Sequence, residues 1–536
     1  MLDFEKSQFI SDNNSLVSEN IKNLVEKTLA VYQADASRVI ADYRAEKQYT
    51  ADYDGRQILE LLQNADDAET DTIFIEVDTI TKTLTISNNG IPFSLSGVKS
   101  LMLANMSPKN KKEYIGNKGL GFRSILNWVN QVDVITQDTV MQFSKQFAND
   151  NYNHLLENNS ELLNLVTSDK NLEKEEIPFA VLAVPDVKKV EVEGKWITSI
   201  KLHYKKEEEK SILTQLGTIQ EETLLFLKHT ENITIFKNEE APRVYEKSTP
   251  AEGKIQVNDK IWNIYNSGER AYDATKMYSY QIAWQDDLSD EDAVFYTYFP
   301  TNVNTHLPCL IHATFDLNAS RKEINPSAEN LYILNEIAKT LGDLAITKIA
   351  VSPSNWQPYQ FLNPTSGNDN KVLTDFYQSI FKFKKSLAIY PATDNAYYKK
   401  EELYNYETDF SAWVLKNDLG DYFPKLLKPL IEEDRYITNF LKNSNRYTPE
   451  ELVTIIDKIN PEVKNLKERA KLIKLLTASN FDNLHKSNVS LPLLIDRKDG
   501  LPTNRQLFTI RQEVITSLNM PSFITGISFI LPDFFK

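Results

Sequence analysis

Residues 59–68 read LELLQNADDA, a segment in which apolar and polar side chains follow a helical period. With Ile58 just before it, Leu62 and Ala65 recur at positions i, i+4 and i+7. This spacing predicts an α-helix with a single apolar stripe. Such a stripe packs against a core, so polar chemistry is expected on the remaining side of the helix.

Three polar residues share that remaining side: Glu60, Asn64 and Asp67. Residues three or four apart stand one above the other on a helix, so an acid and an amide project together. They can serve one site, with the acid as a base and the amide as a metal ligand. Taken alone, the pattern is more typical of the solvated side of an ordinary amphipathic helix. The sequence that follows favours the functional interpretation.

The composition indicates several folded domains without disulfides. A chain of 536 residues exceeds a single core, and its length suggests about three domains. Its one cysteine, Cys309, suits a reducing compartment. We find no signal-peptide pattern and no apolar run near the roughly 20 residues that span a bilayer. We therefore expect a cytoplasmic protein with no membrane partner. The net charge of −15 does not indicate nucleic acid as a partner, although it leaves one open.

Two short strands are predicted after the helix, because apolar residues there alternate with polar ones. The first contains Ile73, Ile75 and Val77, and the second contains Leu84 and Ile86. The second strand runs directly into NNGIP at residues 88–92. This is a turn sequence, and it can hold a polar side chain at the end of a sheet.

A glycine-rich loop occupies residues 115–124, IGNKGLGFRS, with Gly116, Gly119 and Gly121 in the spacing G-x-x-G-x-G. Glycines let backbone amides approach phosphates, and a helix that starts there adds partial positive charge. We expect that helix to continue through Val129. The polar residues just before the loop, within 94–114, predict a mobile lid. The glycine spacing is neither a Rossmann fingerprint nor a Walker A loop.

Further strands are predicted at residues 132–136, 140–143, 180–185 and 196–204. In the last of these, Trp196, Thr198, Ile200 and Leu202 alternate onto one face. Thr198 then faces a core or the floor of a pocket. A hydroxyl that is bonded to a neighbouring residue explains its position equally well.

We predict three regions: an α/β domain over residues 1–215, a mixed α/β domain over 216–354 and a mainly helical region over 355–536. In the second region Arg321 lies in a short polar loop between a strand and a helix. It is either a phosphate contact supplied from outside the first domain or, as is more common, part of a surface salt bridge. In the third region residues 388–404 and 490–508 share an apolar–Pro start and a central Asp with a turn. They predict two similar modules, each consisting of a helical part and a hairpin.

In their order, these motifs resemble those of the GHKL ATPases, the superfamily of gyrase, the large heat-shock chaperone, histidine kinases and MutL. The resemblance covers about residues 20–205. The segments ELLQNADDA and IGNKGLGFRSI are most similar to the sacsin, NO VEIN and MORC branch. The resemblance implies that residues 1–215 form an α+β two-layer Bergerat ATP-binding fold, followed by a transducer-like middle domain.

The resemblance also implies roles for individual residues. Glu60 would be the general base for the attacking water, Asn64 the magnesium ligand, and Arg321 a catalytic arginine that meets the γ-phosphate. ATP and Mg²⁺ are the implied cofactors, and the implied cofactor-binding residues are Asn64, Asp67, Asn88, Gly90, Gly116, Lys118, Gly119, Leu120, Gly121, Phe122 and Thr198. Asn88 departs from the family pattern, since many relatives carry an acid there. An amide is a weaker acceptor for the adenine amino group.

The implied activity is Mg²⁺-dependent ATP hydrolysis that drives a conformational switch or clamp. Relatives in this branch imply a chaperone-like role or a component of bacterial anti-phage defence. We also expect a homodimer formed through the ATPase domain, and an unknown protein partner that binds residues 355–536. The alternative is an ATP-sensing scaffold or interaction protein whose hydrolysis is negligible.

Overall fold

The computed structural model describes residues 17–52, 55–103, 121–170, 172, 177–191, 194–285, 288–318, 322–351, 357–365, 371–406, 408–429, 444–476, 494–495 and 502–503. The chain divides into two compact units, residues 1–333 and 334–536, here called the first and second units. The fold is mixed α/β. Within the described ranges no helix is both long and apolar enough to cross a membrane.

The described part of the first unit begins with two helices that meet at Asp35. Seven helices described in this unit are Val17–Ala34 (α1), Ala36–Asp52 (α2), Gln57–Asp67 (α3), Leu95–Met102 (α4), Lys145–Asn158 (α5), Ser160–Ser168 (α6) and Glu209–Gly217 (α7). A further helix, Ala328–Val351 (α8), follows the last strand of the unit.

The large mixed sheet of the first unit contains fourteen of the sixteen strands described there. The sixteen strands are Thr72–Asp78 (β1), Thr83–Asn88 (β2), Val129–Thr136 (β3), Thr139–Ser144 (β4), Asp186–Lys189 (β5), Thr198–Tyr204 (β6), Asn232–Lys237 (β7), Arg243–Ala251 (β8), Lys254–Val257 (β9), Lys260–Asn266 (β10), Arg270–Ala271 (β11), Met277–Tyr278 (β12), Tyr280–Trp284 (β13), Val294–Thr297 (β14), Phe299–Asn304 (β15) and Leu310–Ala313 (β16). Among described residues the order is β15-β14-β16-β13-β10-β9-β8-β7-β1-β2-β6-β3-β4-β5, and β11 pairs with β12 separately. The β1–β7 and β14–β16 pairs are parallel, and the other pairs in this sheet are antiparallel.

The sheet around β1 has one buried face, here called the inner face. Its central row runs across five neighbouring strands as Ile75, Ile86, Ile200, Val134 and Met141, all buried. These side chains belong to the same core as the apolar stripe of α3. The other face of the same strands carries polar side chains, among them Thr85, Lys201, Asp133 and Gln142. Helices therefore cover one face of this part of the sheet, as alternating strands require.

Three sequence-based expectations for this unit are wrong. Residues 121–127 form a 3₁₀ helix rather than the start of an α-helix, and β3 begins already at Val129. Residues 181–183 are also a 3₁₀ turn, and the strand β5 follows them. Trp196 precedes β6 and stacks on Phe74 with ring centroids 5.6 Å apart, so it does not share the face of Thr198. Two strands, β8 and β15, were not predicted.

The second unit is mainly helical in its described part. Its helices are Lys371–Ser386 (α9), Thr408–Lys416 (α10), Pro449–Ile459 (α11) and Leu466–Leu476 (α12). Each of the two similar stretches contains an antiparallel pair of short strands, as the hairpin prediction requires. The pairs are Tyr390–Pro391 (β17) with Tyr397–Tyr398 (β18), and Leu494–Ile495 (β19) with Pro502–Thr503 (β20).

Candidate functional site

Helix α3 has the apolar stripe that its sequence predicts. Ile58, Leu62 and Ala65 are buried in the core of the first unit. The start of the helix is held by amide side chains, since Gln57 Oε1 accepts the Gly55 N–H at 3.0 Å and the Gln215 amide at 2.6 Å. Gly55 has φ +86°, a backbone conformation that favours glycine. Gly55 therefore allows the chain to turn just before α3.

The three polar residues of α3 differ in their surroundings. Glu60 is only 5% exposed, while Asn64 and Asp67 are half-buried. Burial of a carboxylate is costly unless other groups stabilise it, so Glu60 is not an ordinary member of a solvated face. Burial raises the pKa of Tyr298, and the nearby charge of Asp67 adds to that effect. Asp67 thus lies near the strands β14 and β15.

Asp66 is a buried carboxylate of α3 with a structural role. It is 0% exposed and accepts hydrogen bonds from the backbone N–H groups of Lys228, His229 and Thr230 at 2.9–3.0 Å. The Thr230 hydroxyl donates to the same carboxylate at 2.9 Å. Asp66 therefore fixes the segment that leads into β7. The burial of Asp66 can be inferred from the sequence, because Asp66 lies four residues after Leu62 and so falls on the apolar stripe.

The turn after β2 is docked on the end of α3 at Gly90. A Cβ built on Gly90 would lie 2.2 Å from the carbonyl oxygen of Ala68, so only glycine fits there. The Ile91 N–H donates to the same oxygen at 2.6 Å. Asn89 adds a second link, since its Oδ1 accepts the Thr70 hydroxyl at 2.5 Å. Gly90 consequently joins the helix with Glu60 and Asn64 to the turn with Asn88.

At the end of the sheet where the turn after β2 lies, the last row of the inner face consists of polar side chains. We call it the polar row. Across neighbouring strands it consists of Asn88, Thr198, Thr136 and Thr139, all buried. The hydroxyl oxygens of Thr136 and Thr198 are 3.5 Å apart, and the Phe93 N–H donates to Thr136 Oγ1 at 3.2 Å. The polar row is exceptional because the neighbouring row of the inner face, which runs from Ile75 to Met141, is apolar. Thr136 was missed in the sequence, although it alternates with Val132 and Val134 onto the inner face.

A buried ion network connects the region of the predicted lid, at Leu101, to the end of the glycine-rich loop, at Arg123. The guanidinium of Arg123, 2% exposed, donates two hydrogen bonds to the Leu101 carbonyl at 2.9 and 3.0 Å. Glu46 accepts the backbone N–H groups of Val181 and Leu182 at 2.6 and 3.0 Å. Burial raises the pKa of Glu46, and the positive charge of Arg123 opposes that rise. Leu101 and Arg123 stand on either side of residues 104–120, so Arg123 links the two ends of that segment.

Some predicted site residues lie outside the described residues: Gly116, Lys118, Gly119, Leu120 and Arg321. Gly121 is described as the first residue of the 3₁₀ helix, and Phe122 is buried in the core. Lys322 is the first described residue after Arg321. A Cβ built on Gly55 would lie 3.5 Å from Lys322 Nζ, so the Lys322 side chain reaches the turn before α3. Arg56 contacts the same region, with Nη1 3.4 Å from the Pro300 carbonyl oxygen.

Comparison with known proteins leaves the family open. No family model matches this chain, and no curated protein matches it. A solved structure titled "Crystal Structure of N terminal domain of a DNA repair protein" is similar over 58% of this chain and 98% of that chain. Its sequence identity is 11% and its TM-score is 0.35, and a similarity of this degree assigns neither fold nor function.

Proposed function

We propose that this protein is a Mg²⁺-dependent nucleoside triphosphatase of the GHKL type, with ATP as the substrate that the resemblance implies. The observation that carries the proposal is the junction at Gly90. It joins the helix that bears a buried acid, Glu60, to the turn that begins the polar row. The residues proposed as base, magnesium ligand and nucleobase floor thus lie on connected elements, and their order along the chain matches that of the GHKL motifs, which supports the proposal.

Glu60 would act as the general base in hydrolysis. Its carboxylate takes a proton from a water molecule as the water oxygen bonds to the γ-phosphorus and the bond to the bridging oxygen breaks. The products are the nucleoside diphosphate and inorganic phosphate. Its low exposure suits this role, because a buried carboxylate keeps its orientation and is shielded from bulk water.

Asn64 would hold the magnesium ion. The polar residues of α3 offer carboxylate and amide oxygens, which are the ligands that Mg²⁺ prefers. Within the described residues no group of three acidic, histidine or cysteine side chains could hold a metal by itself. An ion that takes most of its ligands from phosphate and water fits this donor set. When bound, magnesium supplies positive charge against the phosphates.

Arg321 would complete the site from the loop after β16. The side chain of its neighbour Lys322 reaches the turn before α3, and this supports a position of Arg321 near the helix that carries Glu60. An arginine there would stabilise the charge that develops on the transferred phosphoryl group. The glycines Gly116, Gly119 and Gly121 would hold the phosphates through their backbone amides. In this proposal residues 1–215 adopt the Bergerat fold, and ATP turnover drives a conformational switch or clamp.

The test is a comparison of two glutamate substitutions in the full-length protein. Glu60→Gln keeps the size of the side chain and removes the base, so we expect turnover of ATP to fall about 100-fold or more while binding is nearly unchanged. The control is Glu76→Gln, which removes one charge from an exposed residue of β1. Phosphate release and calorimetric binding of Mg-ATP are the measurements. Normal turnover of Glu60→Gln would exclude Glu60 as the base.

A further inference from the structure

Asn88 has a fixed orientation at the end of the inner face. It is the last residue of β2 and is 5% exposed, and its side chain points to the same side as Ile86 and Leu84. Its Oδ1 accepts the Gly90 N–H at 3.1 Å. Gly90 cannot move away, because its backbone is packed against the Ala68 carbonyl. The acceptor atom of Asn88 is therefore engaged by a donor that the fold holds in place.

The other branch of the Asn88 amide is the NH₂ group. No described residue accepts a hydrogen bond from it. The reverse orientation would bring the NH₂ group against the Gly90 N–H, and two donors facing each other in a buried position are unfavourable. Asn88 consequently presents a donor to whatever occupies the adjacent space, whereas an aspartate in the same position would present an acceptor.

This difference bears on the base of the nucleotide, and the inference rests on the proposed function. The resemblance on which that proposal draws implies that Asn88 meets the 6-position of the purine. Adenine carries an amino group there, which is a donor, whereas guanine and hypoxanthine carry an oxygen, which is an acceptor. A buried polar group that meets a group of its own kind loses its hydrogen bond, and sites built on such pairs discriminate strongly. We infer that the site accepts 6-oxopurine nucleotides, GTP and ITP, at least as well as ATP, and that Asn88 determines this preference.

The experiment measures the affinities of Mg-ATP, Mg-GTP and Mg-ITP by calorimetry. The full-length protein carries Glu60→Gln so that nucleotide is not consumed, and the same set is repeated with Asn88→Asp added. ITP is informative because it has the 6-oxo group without the 2-amino group of guanine. We expect GTP and ITP to bind no more weakly than ATP. Asn88→Asp should shift the ratio of affinities towards ATP by about tenfold or more.

The charge control is Asn130→Asp, which adds the same negative charge at an exposed residue of β3. It should leave the three affinities in their original ratio. ATP bound more than about tenfold tighter than both GTP and ITP by the protein with native Asn88 would overturn the inference, even if Asn88→Asp does not fold. That result would leave the proposed function standing. Absence of binding by all three nucleotides would instead overturn the proposed function, and the inference with it.

Discussion

At the scale of single residues, Asp66 and Asp67 show how strongly one position on a helix changes the role of a carboxylate. Asp66→Ala removes the acceptor of four hydrogen bonds, among them those of the buried Thr230. Hydrogen bonds to a charged group contribute about 1.5–3 kcal/mol each, so we expect the free energy of unfolding to fall by about 3 kcal/mol or more. Asp67→Ala should cost about 1 kcal/mol or less, because Asp67 is half-buried. Urea unfolding of both variants measures this, and equal losses would contradict it.

His312 makes the stability of the first unit depend on pH. Burial lowers its pKa to about 3 from an ordinary value of 6.5, and its Nδ1 accepts the Tyr298 N–H at 3.1 Å. Between these two pH values the unfolded chain binds a proton that the folded chain does not. Stability from this residue is therefore present above pH 6.5 and is lost as the pH falls towards 3, by about 1.4 kcal/mol per pH unit. Unfolding free energies of the native protein and His312→Gln should converge at that rate below about pH 6; parallel pH curves would show that His312 is not responsible.

At the scale of elements, the turn after β2 depends on Gly90. Gly90→Ala would place a methyl group against the Ala68 backbone, which cannot rotate away, so we expect a loss of about 1–3 kcal/mol or more. Gly217→Ala is the matched control, because a Cβ there meets nothing within 4 Å at the end of α7. Alanine is the better helix former by up to about 1 kcal/mol, so the control should be neutral or stabilising. Thermal unfolding of the two variants decides; if Gly90→Ala is as stable as the control, the turn is not docked as described.

The elements that the sequence predicts correctly are those with a strong apolar period. Helix α3 and strands β1, β2 and β6 have such a period, and their buried faces are as expected. Strand β8 was missed because none of its side chains is buried, so it has no alternation to detect. The orientation of the Asn88 amide could not be predicted, because it depends on a glycine held by a different element. Burial of Asp66, in contrast, can be predicted from its position on the apolar stripe of α3.

At the scale of the whole molecule, the sheet continues past residue 215, where the sequence predicts a domain boundary. Strand β7 pairs with β1 in parallel from Thr72 to Val77, and Asp66 binds the segment just before β7. A fragment of residues 1–215 would expose an edge of β1 and leave Asp66 without its partners. We expect this fragment to unfold at a lower temperature than a fragment of residues 1–351, which retains β7 and the whole of α8. Circular dichroism melts of both fragments test this, and equal midpoints would mean that residues 1–215 are a self-sufficient domain.

Strand β8 has a mechanical consequence for this sheet. Four of its residues pair with β7 and three with β9, and a register shift separates the last of these pairs from the others. Two of its side chains, Tyr245 and Lys247, are half-buried, and Tyr245 packs against the core of the first unit, while its other side chains are exposed. Under tension across the strands, β8 would therefore resist mainly through its backbone hydrogen bonds, and the register shift interrupts those on the side of β9. A pulling experiment with handles at β2 and β13 would be expected to show the first rupture beside β8, because that strand contributes no fully buried side chain.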